Sequence, residues 1–463
     1  MQPLIFLSVF QLDKSNTRSL LFIYLNKTMD KGREMSKKNI YRVTVCVLML
    51  VLGVIGHKCI GKRRHEQIQL ESILPSKKKE IERPIIRVLI KTNGFAQVTH
   101  GSVEVKAISG VVMTSGSEQK ESEGTESIVI NPDNNMFQNG PIRIKPKVES
   151  EKITICSLQR GVGNPSYRGE LELFSTAEGI VIVNELFLEE YLYAVVPSEM
   201  PASYELEALK AQAICARSYA YNQSREFSYP EYQAHVDDSV SFQVYGNSKE
   251  QESTNRAVDE TKDLKIWHDD QVATAYFYST SCGKTASIEA WGGELNDQNH
   301  YLQSKSICNE LGEDYEKNLP WYRWTATIPA QTMSNLIQVN TQTEIGKLLN
   351  IAITKKGEGG IVQEITAVGT LDKVVISTEN KIRRALGGAG YQILKQDGKV
   401  INSQTLLPSA FFTIEKENGK YIIRGGGYGH GIGMSQNGAN EMAKTGKNYK
   451  EILSIFYTDI IVK

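Results

Sequence analysis

The clearest change of hydrophobic pattern in the chain falls between Leu188 and Tyr221. The first part of this stretch, which ends at Pro197, is rich in aromatic and β-branched residues and predicts a strand. The second part places apolar residues at spacings of three and four and predicts a helix capped by Ser203. The repeating positions are Leu206, Leu209, Ala213, Ala216 and Ala220. One face of this helix should therefore be buried.

Between these two elements, prolines on both sides restrict the backbone around the carboxylate of Glu199. The flanking residues Pro197, Met200 and Pro201 are apolar, so they should desolvate the carboxyl group and raise its pKa. A carboxyl group that stays protonated near neutral pH can act as a general acid. The alternative interpretation is a solvated loop glutamate, which is the ordinary state of an isolated glutamate.

Alternating and polar stretches elsewhere predict the remaining elements. Residues 85–89 read as a strand, 168–187 as a hairpin with a turn at Glu178 and Gly179, and 272–280 as a strand. The polar stretch 114–126 predicts a long loop. Together these patterns predict an α+β fold, with mixed strands and helices around a substrate groove and a strand-rich part that extends to about residue 165.

The N-terminal region follows a different pattern. We interpret residues 1–34 as a misassigned start, because three basic residues and an apolar run at 43–56 follow it. The run has about 14 residues, or about 18 with snorkelling polar flanks, so residues 35–60 predict an uncleaved signal anchor or transmembrane segment. Residues 61–84 predict a charged linker, and residues 85–463 the folded domain.

The alternative to an uncleaved anchor is a cleaved signal peptide, with or without a lipidated cysteine after the cleavage site, and two observations argue against it. No small-x-small cleavage site follows the run, and Cys59 is preceded by Lys58 rather than by a small residue. Basic residues flank both ends of the run, so charge alone does not set its orientation.

Composition narrows the classes of partner. The 463 residues include 53 basic and 53 acidic residues, so the formal net charge is zero. The chain therefore has no excess of positive charge that would attract nucleic acid, and a neutral polymer is the more suitable substrate. Six cysteines are too few for a disulfide scaffold of this length. Cys282 and Cys308 are the pair that could form a disulfide, and Cys215 predicts a small core residue.

Three motif-like strings point to no cofactor. The string Gly283-Lys284-Thr285 resembles a phosphate loop, but Tyr278 occupies the place of its first glycine. The glycines of residues 425–433 lack the spacing of a dinucleotide fingerprint. The acidic string at 235–238 lacks the ligand spacing of a zinc or calcium site and predicts a turn.

Two long strings carry a resemblance to a known family. The string VPSEMP at 196–201, followed by an alanine-rich helix, and the string GHGIGMSQNGA at 429–439 resemble the SpoIID/LytB family. This family is named for stage II sporulation protein D and the amidase enhancer. The string IRRALG at 382–387 is similar to a further family element, and the matches cover roughly residues 85–463. The resemblance implies that Glu199 is the catalytic acid.

The resemblance and the residue chemistry also suggest substrate-binding residues. Residues 279–285 resemble a family element at the edge of the substrate groove, which implies that their side chains face the substrate. Ser435 and Gln436, in the glycine-rich segment at 425–439, could form hydrogen bonds with sugars. Arg217 could orient the acid or hold substrate, or be a surface charge, and Tyr301 could stack on a sugar or belong to the core. The expected substrate-binding set is Arg217, Ser279, Thr280, Lys284, Thr285, Tyr301, Ser435 and Gln436.

No metal or other cofactor is expected. Sporulation members of the family often carry a cysteine pair that helps to hold zinc. In this sequence Val236 and Phe242 occupy the aligned positions, which argues against a zinc site.

The function implied by the resemblance is a peptidoglycan lytic transglycosylase that leaves 1,6-anhydro ends, used for septal wall remodelling in engulfment. Such an enzyme needs one carboxylate, because the muramic acid 6-hydroxyl replaces water as the nucleophile. The implied partners are glycan strands, a cell-wall amidase and a membrane scaffold, with the domain on the extracytoplasmic side of the cell membrane. The alternatives are a non-catalytic wall-binding amidase enhancer and a sporulation-independent wall hydrolase.

Overall fold

The computed structural model describes residues 83–463. The expected misassigned start and signal anchor, nearly all of the charged linker, and Cys46 and Cys59 lie outside the described residues. Within 83–463, no helix has both the length and the apolar character that a membrane span requires. The described residues correspond to one unit, Arg83–Lys463, built around a large hydrophobic core.

Seven α-helices occur in this part of the chain. They are α1 (Leu188–Glu199), α2 (Leu206–Gln223), α3 (Glu252–Glu260), α4 (Ala330–Thr341), α5 (Glu379–Leu386), α6 (Gln436–Lys444) and α7 (Tyr449–Phe456). Strands outnumber helices, and α2 packs against α1, α3, α6 and α7. The helix that follows the predicted acid therefore lies at the centre of the helical layer.

The strands before α1 form two sheets. They are β1 (Ile85–Ile90), β2 (Thr99–His100), β3 (Val103–Lys106), β4 (Val111–Ser115), β5 (Glu118–Glu121), β6 (Ile128–Ile130), β7 (Ile142–Pro146), β8 (Ile153–Ile155), β9 (Ser166–Tyr167), β10 (Glu170–Thr176) and β11 (Gly179–Phe187). The chain from residue 85 to α1 is therefore built mainly of strands.

The strands after α2 are shorter and form further sheets. They are β12 (Val236–Asp237), β13 (Ile266–His268), β14 (Gln271–Val272), β15 (Phe277–Tyr278), β16 (Trp324–Pro329), β17 (Leu348–Lys356), β18 (Val362–Gly369), β19 (Lys373–Ser377), β20 (Gln392–Lys395), β21 (Val400–Asn402), β22 (Phe412–Glu417), β23 (Lys420–Gly425), β24 (Met434–Ser435) and β25 (Ile460–Val462).

Pairing among these strands is mainly antiparallel. The largest sheet has eight strands, ordered β12-β1-β11-β10-β7-β4-β5 with β2 also paired to β11. A five-stranded sheet follows the order β21-β20-β16-β23-β22. Two short pairs are parallel, β1 with β12 and β15 with β24, and both join segments distant in sequence. The fold is therefore α+β, as the sequence predicts.

The strand predictions have mixed outcomes. The hairpin at 168–187 is confirmed as β10 and β11, with Thr176 opposite Gly179. The strand at 85–89 is confirmed as β1. The long loop at 114–126 is wrong in its first half, because Ser115 pairs with Glu118 in the hairpin of β4 and β5. The single strand at 272–280 is also wrong, because β14 and β15 are separate short strands.

The predicted strand before Pro197 is a helix, α1, and Pro197 lies inside its last turn. The apolar residues Leu188, Leu192 and Val195 are buried at helical spacing, and the β-branched residues of α1 belong to the same buried surface. Proline removes one backbone donor, and Pro197 does so near the end of α1, where few further turns depend on it. Tertiary burial has overridden local strand propensity here.

The helix α2 is confirmed, but its details differ from the prediction. It begins at Leu206 after Glu205 as N-cap, and no side chain caps it, so the assignment of Ser203 as N-cap is wrong. Nearly every side chain from Ala208 to Ala220 is buried, rather than one face. The many alanines allow neighbouring elements to approach α2 from several directions.

The pair that could form a disulfide, Cys282 and Cys308, is not joined in the structure. Cys282 and Cys308 are both free thiols and partly buried, and Cys308 lies in an isolated β-bridge with Asp314. The interpretation of Cys215 as a core residue is confirmed, because it is fully buried in α2.

Candidate active site

The carboxyl group of Glu199 lies at the C-terminal end of α1, and the residue is partly exposed. Its Oε1 accepts a hydrogen bond from the backbone N–H of Val244 at 2.6 Å. Burial raises the pKa of Glu199 to about 7, against the opposing effects of the Val244 N–H and the Gln436 side chain. This carboxyl group is therefore substantially protonated near neutral pH, as the sequence predicts.

A loop at residues 239–248 supplies the Val244 N–H. Ser198 fastens this loop to the last turn of α1, because its Oγ accepts from the N–H groups of Asn247 and Ser248 at 3.1 and 3.0 Å. The same hydroxyl donates to the Ala194 carbonyl at 2.6 Å. The donor to Glu199 is a backbone group on a remote loop, so no side-chain pattern in the sequence could have identified it.

The glycine-rich segment brings Gln436 to the acid. Gln436 is the first residue of α6, and its Nε2 donates to the backbone carbonyl of Glu199 at 3.0 Å. Gln212 of α2 lies on the other side, with its Oε1 3.5 Å from the same Nε2. The Nε2 of Gln212 is buried and has no hydrogen-bond partner among residues 83–463. Gln212 is a neighbour of the site that the sequence analysis did not identify.

Gly433 allows the glycine-rich segment to pass close to β15. Its φ is +77°, and a Cβ would lie 2.0 Å from the carbonyl oxygen of Tyr276. A larger residue would therefore clash with the backbone as well as adopt a strained conformation. This close approach lets Met434 pair with Phe277 in the parallel bridge between β15 and β24.

Ser435 is committed to a buried network rather than to the surface. Its hydroxyl donates to the carboxylate of Glu316 at 2.7 Å and accepts from the Gly438 N–H at 3.2 Å, which caps α6. The N–H and hydroxyl of Ser281 also donate to Glu316. Ser435 has no exposed surface. The expectation that it bonds sugar hydroxyls is therefore corrected to a structural role.

Glu316 is fully buried, and the sequence analysis did not identify it. Burial raises the pKa of Glu316 to about 7, although the hydrogen bonds from Ser281 and Ser435 oppose this shift. Through these hydrogen bonds, Glu316 links Ser281, in the segment after β15, to Ser435 at the N-terminus of α6. Nothing in the polar sequence around Glu316 distinguishes it from a surface glutamate.

Ser279 and Thr280 lie beside the N-terminus of α6. Asn437 donates from Nδ2 to the Thr280 Oγ1 at 3.0 Å and to the Ser279 carbonyl at 3.1 Å. Thr280 is buried, and Ser279 is partly exposed. The structure thus brings Ser279, Thr280 and Gln436 together with Glu199 through α6, and Ser279 is the member of the 279–280 pair with side-chain surface.

Arg217 is placed away from the acid. Its guanidinium has no exposed surface and forms two bonds with Glu189, from Nε at 2.7 Å and from Nη2 at 2.8 Å. It also donates to the carbonyls of Val258 and Leu264. The expectation that Arg217 orients Glu199 or holds substrate is corrected, because its donors are committed inside the core.

Of the other residues expected to contact substrate, Thr285 and Tyr301 are buried and Lys284 is exposed. Thr285 is fully buried, and its Oγ1 accepts from the Lys305 N–H at 2.8 Å. Tyr301 is 6% exposed, and its hydroxyl accepts from the Thr274 N–H at 2.9 Å, so it belongs to the core. Both assignments are corrected to structural roles. Lys284 is exposed and stays a candidate for contact with substrate.

His430, the histidine of the glycine-rich string, also has a structural role. Its Nε2 bonds the Phe277 carbonyl at 2.9 Å, and its Nδ1 accepts from the Ile432 N–H at 3.1 Å. Burial, together with the charge of Arg383, lowers the pKa of His430 to about 4. The ring is therefore neutral near pH 7 and packs against Trp291 with centroids 5.0 Å apart.

The acidic string at 235–238 is engaged in pairing rather than arranged around a metal. Val236 and Asp237 form β12, so the predicted turn begins only after them. Asp237 accepts from the Ser239 hydroxyl at 2.6 Å, and Asp238 pairs with Arg160. Among the described residues 83–463, no three histidine, cysteine, aspartate or glutamate side chains converge to hold a metal ion.

Comparison with known proteins defines the class first. A family model described as stage II sporulation protein matches residues 176–268, which contain Glu199 and Val244. A model for a domain of unknown function matches residues 284–433, which contain Glu316 and most of the glycine-rich segment. The segment that carries Glu199 is therefore similar to the class of protein that the first model describes.

Relatives along the chain agree with this class. The amidase enhancer of Bacillus subtilis is 29% identical over 299 residues, which are 58% of this chain and 39% of that protein. Stage II sporulation protein D of Bacillus subtilis is 30% identical over 330 residues, 67% of this chain and 84% of that protein. The counterpart from Bacillus amyloliquefaciens is 31% identical over 296 residues, 60% of this chain and 74% of that protein. The chain belongs to the stage II sporulation protein D family.

Proposed function

We propose that the chain is a peptidoglycan lytic transglycosylase that cleaves the bond between N-acetylmuramic acid and N-acetylglucosamine. The observation that carries this proposal is the Glu199 carboxyl group, which is partly exposed and has its pKa raised to about 7 by burial. A glycosidic bond breaks when a general acid protonates the bridging oxygen as an oxocarbenium-like centre develops. Glu199 has the protonation state and the access that this step needs.

The reaction needs no water. Because the Val244 N–H donates a hydrogen bond to Oε1 of Glu199, Oε2 is the oxygen that would carry and transfer the proton. Proton transfer from Oε2 releases the N-acetylglucosamine hydroxyl as the bond to C1 of the muramic acid breaks. The muramic acid 6-hydroxyl then attacks C1, and the Glu199 carboxylate takes its proton. The product is a 1,6-anhydro ring, and Glu199 is protonated again.

A single carboxylate suits this chemistry better than ordinary hydrolysis. Hydrolytic glycosidases pair an acid with a second carboxylate that acts as nucleophile or base. In the described part of the chain, the pKa of Glu199 is shifted by burial, Val244 and Gln436, and no carboxylate contributes. The other buried glutamate that carries part of the site, Glu316, is bonded to Ser281 and Ser435 and has no exposed surface.

The family supports a role in remodelling the septal wall during sporulation and engulfment. The proposal places the folded domain on the extracytoplasmic side of the cell membrane, attached by a single N-terminal span. A cell-wall amidase and a membrane scaffold protein are the proposed partners. The relative named amidase enhancer supports the link to an amidase.

The second candidate function is a non-catalytic amidase enhancer that binds the wall. It is favoured by the 29% identity to the Bacillus subtilis amidase enhancer over 299 residues. Under this alternative, Glu199 and the glycine-rich segment would contact glycan without cleaving it.

The two candidates differ in product. The purified chain is incubated with glycan strands stripped of their peptides, and the products are analysed by mass spectrometry. A transglycosylase releases 1,6-anhydro muramic acid ends without any amidase present. An enhancer yields no such ends, but raises the rate at which an added amidase removes peptides from intact peptidoglycan.

A further inference from the structure

A cavity of about 650 Å³ lies beside the glycine-rich segment. The end of α5, the segment 403–408 and the side chain of Tyr428 line it. Gly387 brings two of these walls together, because a Cβ there would lie 2.2 Å from the Thr405 carbonyl oxygen. The volume is in the range that holds a small ligand or one sugar unit. None of the substrate-binding residues predicted from the sequence lines this cavity.

Arg383 presents a positive charge to the cavity. Its side chain is 9% exposed, and it donates from Nε to the Leu407 carbonyl at 2.8 Å and from Nη1 to Glu379 at 2.7 Å. Its Nη2 has no hydrogen-bond partner among residues 83–463, although Arg383 lines the cavity. A buried guanidinium with free N–H groups is suited to a carboxylate or carbonyl oxygen.

Tyr428 forms another wall and is held in place on two sides. Its hydroxyl donates to the Gln404 side chain at 3.0 Å, and its ring packs against Trp321 with centroids 4.6 Å apart. Both aromatic rings are partly exposed. An aromatic ring that is fixed in orientation and partly exposed is a suitable surface for the apolar face of a sugar.

The backbone connects this cavity to Glu199. Tyr428 and Thr280 exchange backbone hydrogen bonds at 3.0 and 2.8 Å, and Thr280 accepts from Asn437 at 3.0 Å. Asn437 follows Gln436, which contacts Glu199. Residues 428–436 therefore link the cavity, at Tyr428, to the neighbour of Glu199, at Gln436.

We propose that this cavity is a binding subsite for a muramic acid unit of the glycan strand, with its ring on Tyr428 and its lactyl group on Arg383. The lactyl group offers a carboxylate when the peptide is absent and an amide carbonyl when it is present, and both accept from Nη2. This inference rests on the proposed function for the identity of the polymer. Its test measures binding, so it succeeds or fails independently of cleavage.

Binding is measured with the full chain carrying Glu199→Gln, so that the strands stay intact. Tyr428→Leu removes the ring, and Ala389→Phe fills the cavity from its exposed edge without changing charge. Arg383→Gln removes the guanidinium, and the exposed neighbour Arg384→Gln is the matched control. Because Arg383→Gln leaves the buried Glu379 without its ion pair, thermal unfolding is recorded for each variant.

The probes are peptide-free glycan strands, strands with their peptides, and N-acetylglucosamine oligomers, which lack the lactyl group. We expect Tyr428→Leu and Ala389→Phe to weaken binding of peptide-free strands about tenfold or more, with Arg384→Gln unchanged. Arg383→Gln should weaken both kinds of strand but leave the oligomers unaffected. Unchanged binding by Tyr428→Leu and Ala389→Phe overturns the subsite. Equal loss for strands and oligomers in Arg383→Gln overturns the lactyl contact.

Discussion

Glu199 keeps its proton near neutral pH because its carboxyl group is buried, and no ion pair within the described residues contributes to its pKa. Burial is the main cause of its raised pKa, and the Val244 N–H and the nearby Gln436 side chain only reduce that effect. The sequence attributes this environment to Pro197, Met200 and Pro201. Pro197 and Met200 are buried, as predicted, but Pro201 is exposed. The residue scale is thus where the sequence predicts most about the site.

The pH dependence of cleavage follows from this pKa. The ordinary value of 4.5 is raised to about 7, so the acid form is lost as pH rises through about 7. We expect the rate of anhydro product formation to fall about tenfold per pH unit above that point. Because the folded state binds this proton more tightly, the stability contribution of the carboxyl group also declines from about pH 4.5 to 7.

The measurements are a rate profile and a set of unfolding curves between about pH 3 and 9. Glu199→Gln should remove this contribution to the pH dependence of stability. A falling limb of the rate profile near pH 4.5 would show that Glu199 is an ordinary solvated carboxylate.

Arg217 offers a second residue-scale prediction. Glu189→Gln removes the charge that balances a guanidinium with no exposed surface, so we expect the free energy of unfolding to fall by about 3 to 5 kcal/mol. Glu190→Gln, a partly exposed neighbour in the same helical turn, is the control and should change it by about 0.5 kcal/mol or less. Denaturant unfolding measures both. If the two variants are equally stable, the structural role assigned to Arg217 is wrong.

At the scale of elements, α1 shows where local patterns mislead. Its aromatic and β-branched residues favour a strand, yet their burial follows helical spacing. Glu199 is therefore the last residue of a helix, and not part of a loop between a strand and a helix. The hairpin of β10 and β11 was predictable because its turn and alternation are contiguous in sequence. The pairing of β15 with β24 was not, because it joins segments more than 150 residues apart.

The cap of α6 gives a prediction at this scale. Ser435→Ala removes the N-cap and one donor to buried Glu316, so we expect a loss of about 1 to 2 kcal/mol of stability and reduced activity. Asn448→Ala removes the N-cap of α7. Within residues 83–463 the Asn448 side chain accepts from the Lys450 and Glu451 N–H groups and makes no hydrogen bond to Glu316 or Glu199, so the change should cost about 1 kcal/mol with activity retained. Equal activity of the two variants, at matched stability, would contradict a positioning role for Ser435.

At the scale of the whole molecule, the site depends on contacts that no local pattern reveals. Val244 donates to Glu199 from 45 residues away, and Glu316 bonds Ser435 across 119 residues. Sequence strings could therefore identify the acid and the glycine-rich segment, but not which of their side chains face inward. Arg217, Thr285 and Tyr301 have chemistry suited to substrate, and burial removes them from it.

The central claim is that Glu199 is the acid and base of glycan cleavage. Its most direct test compares wild type with Glu199→Gln on peptide-free glycan strands, counting anhydro ends by mass spectrometry. We expect turnover to fall about 10²- to 10⁴-fold, with the fold and glycan binding retained, because the amide cannot transfer the proton. A folded variant that binds strands and releases anhydro products at the wild-type rate would contradict the claim.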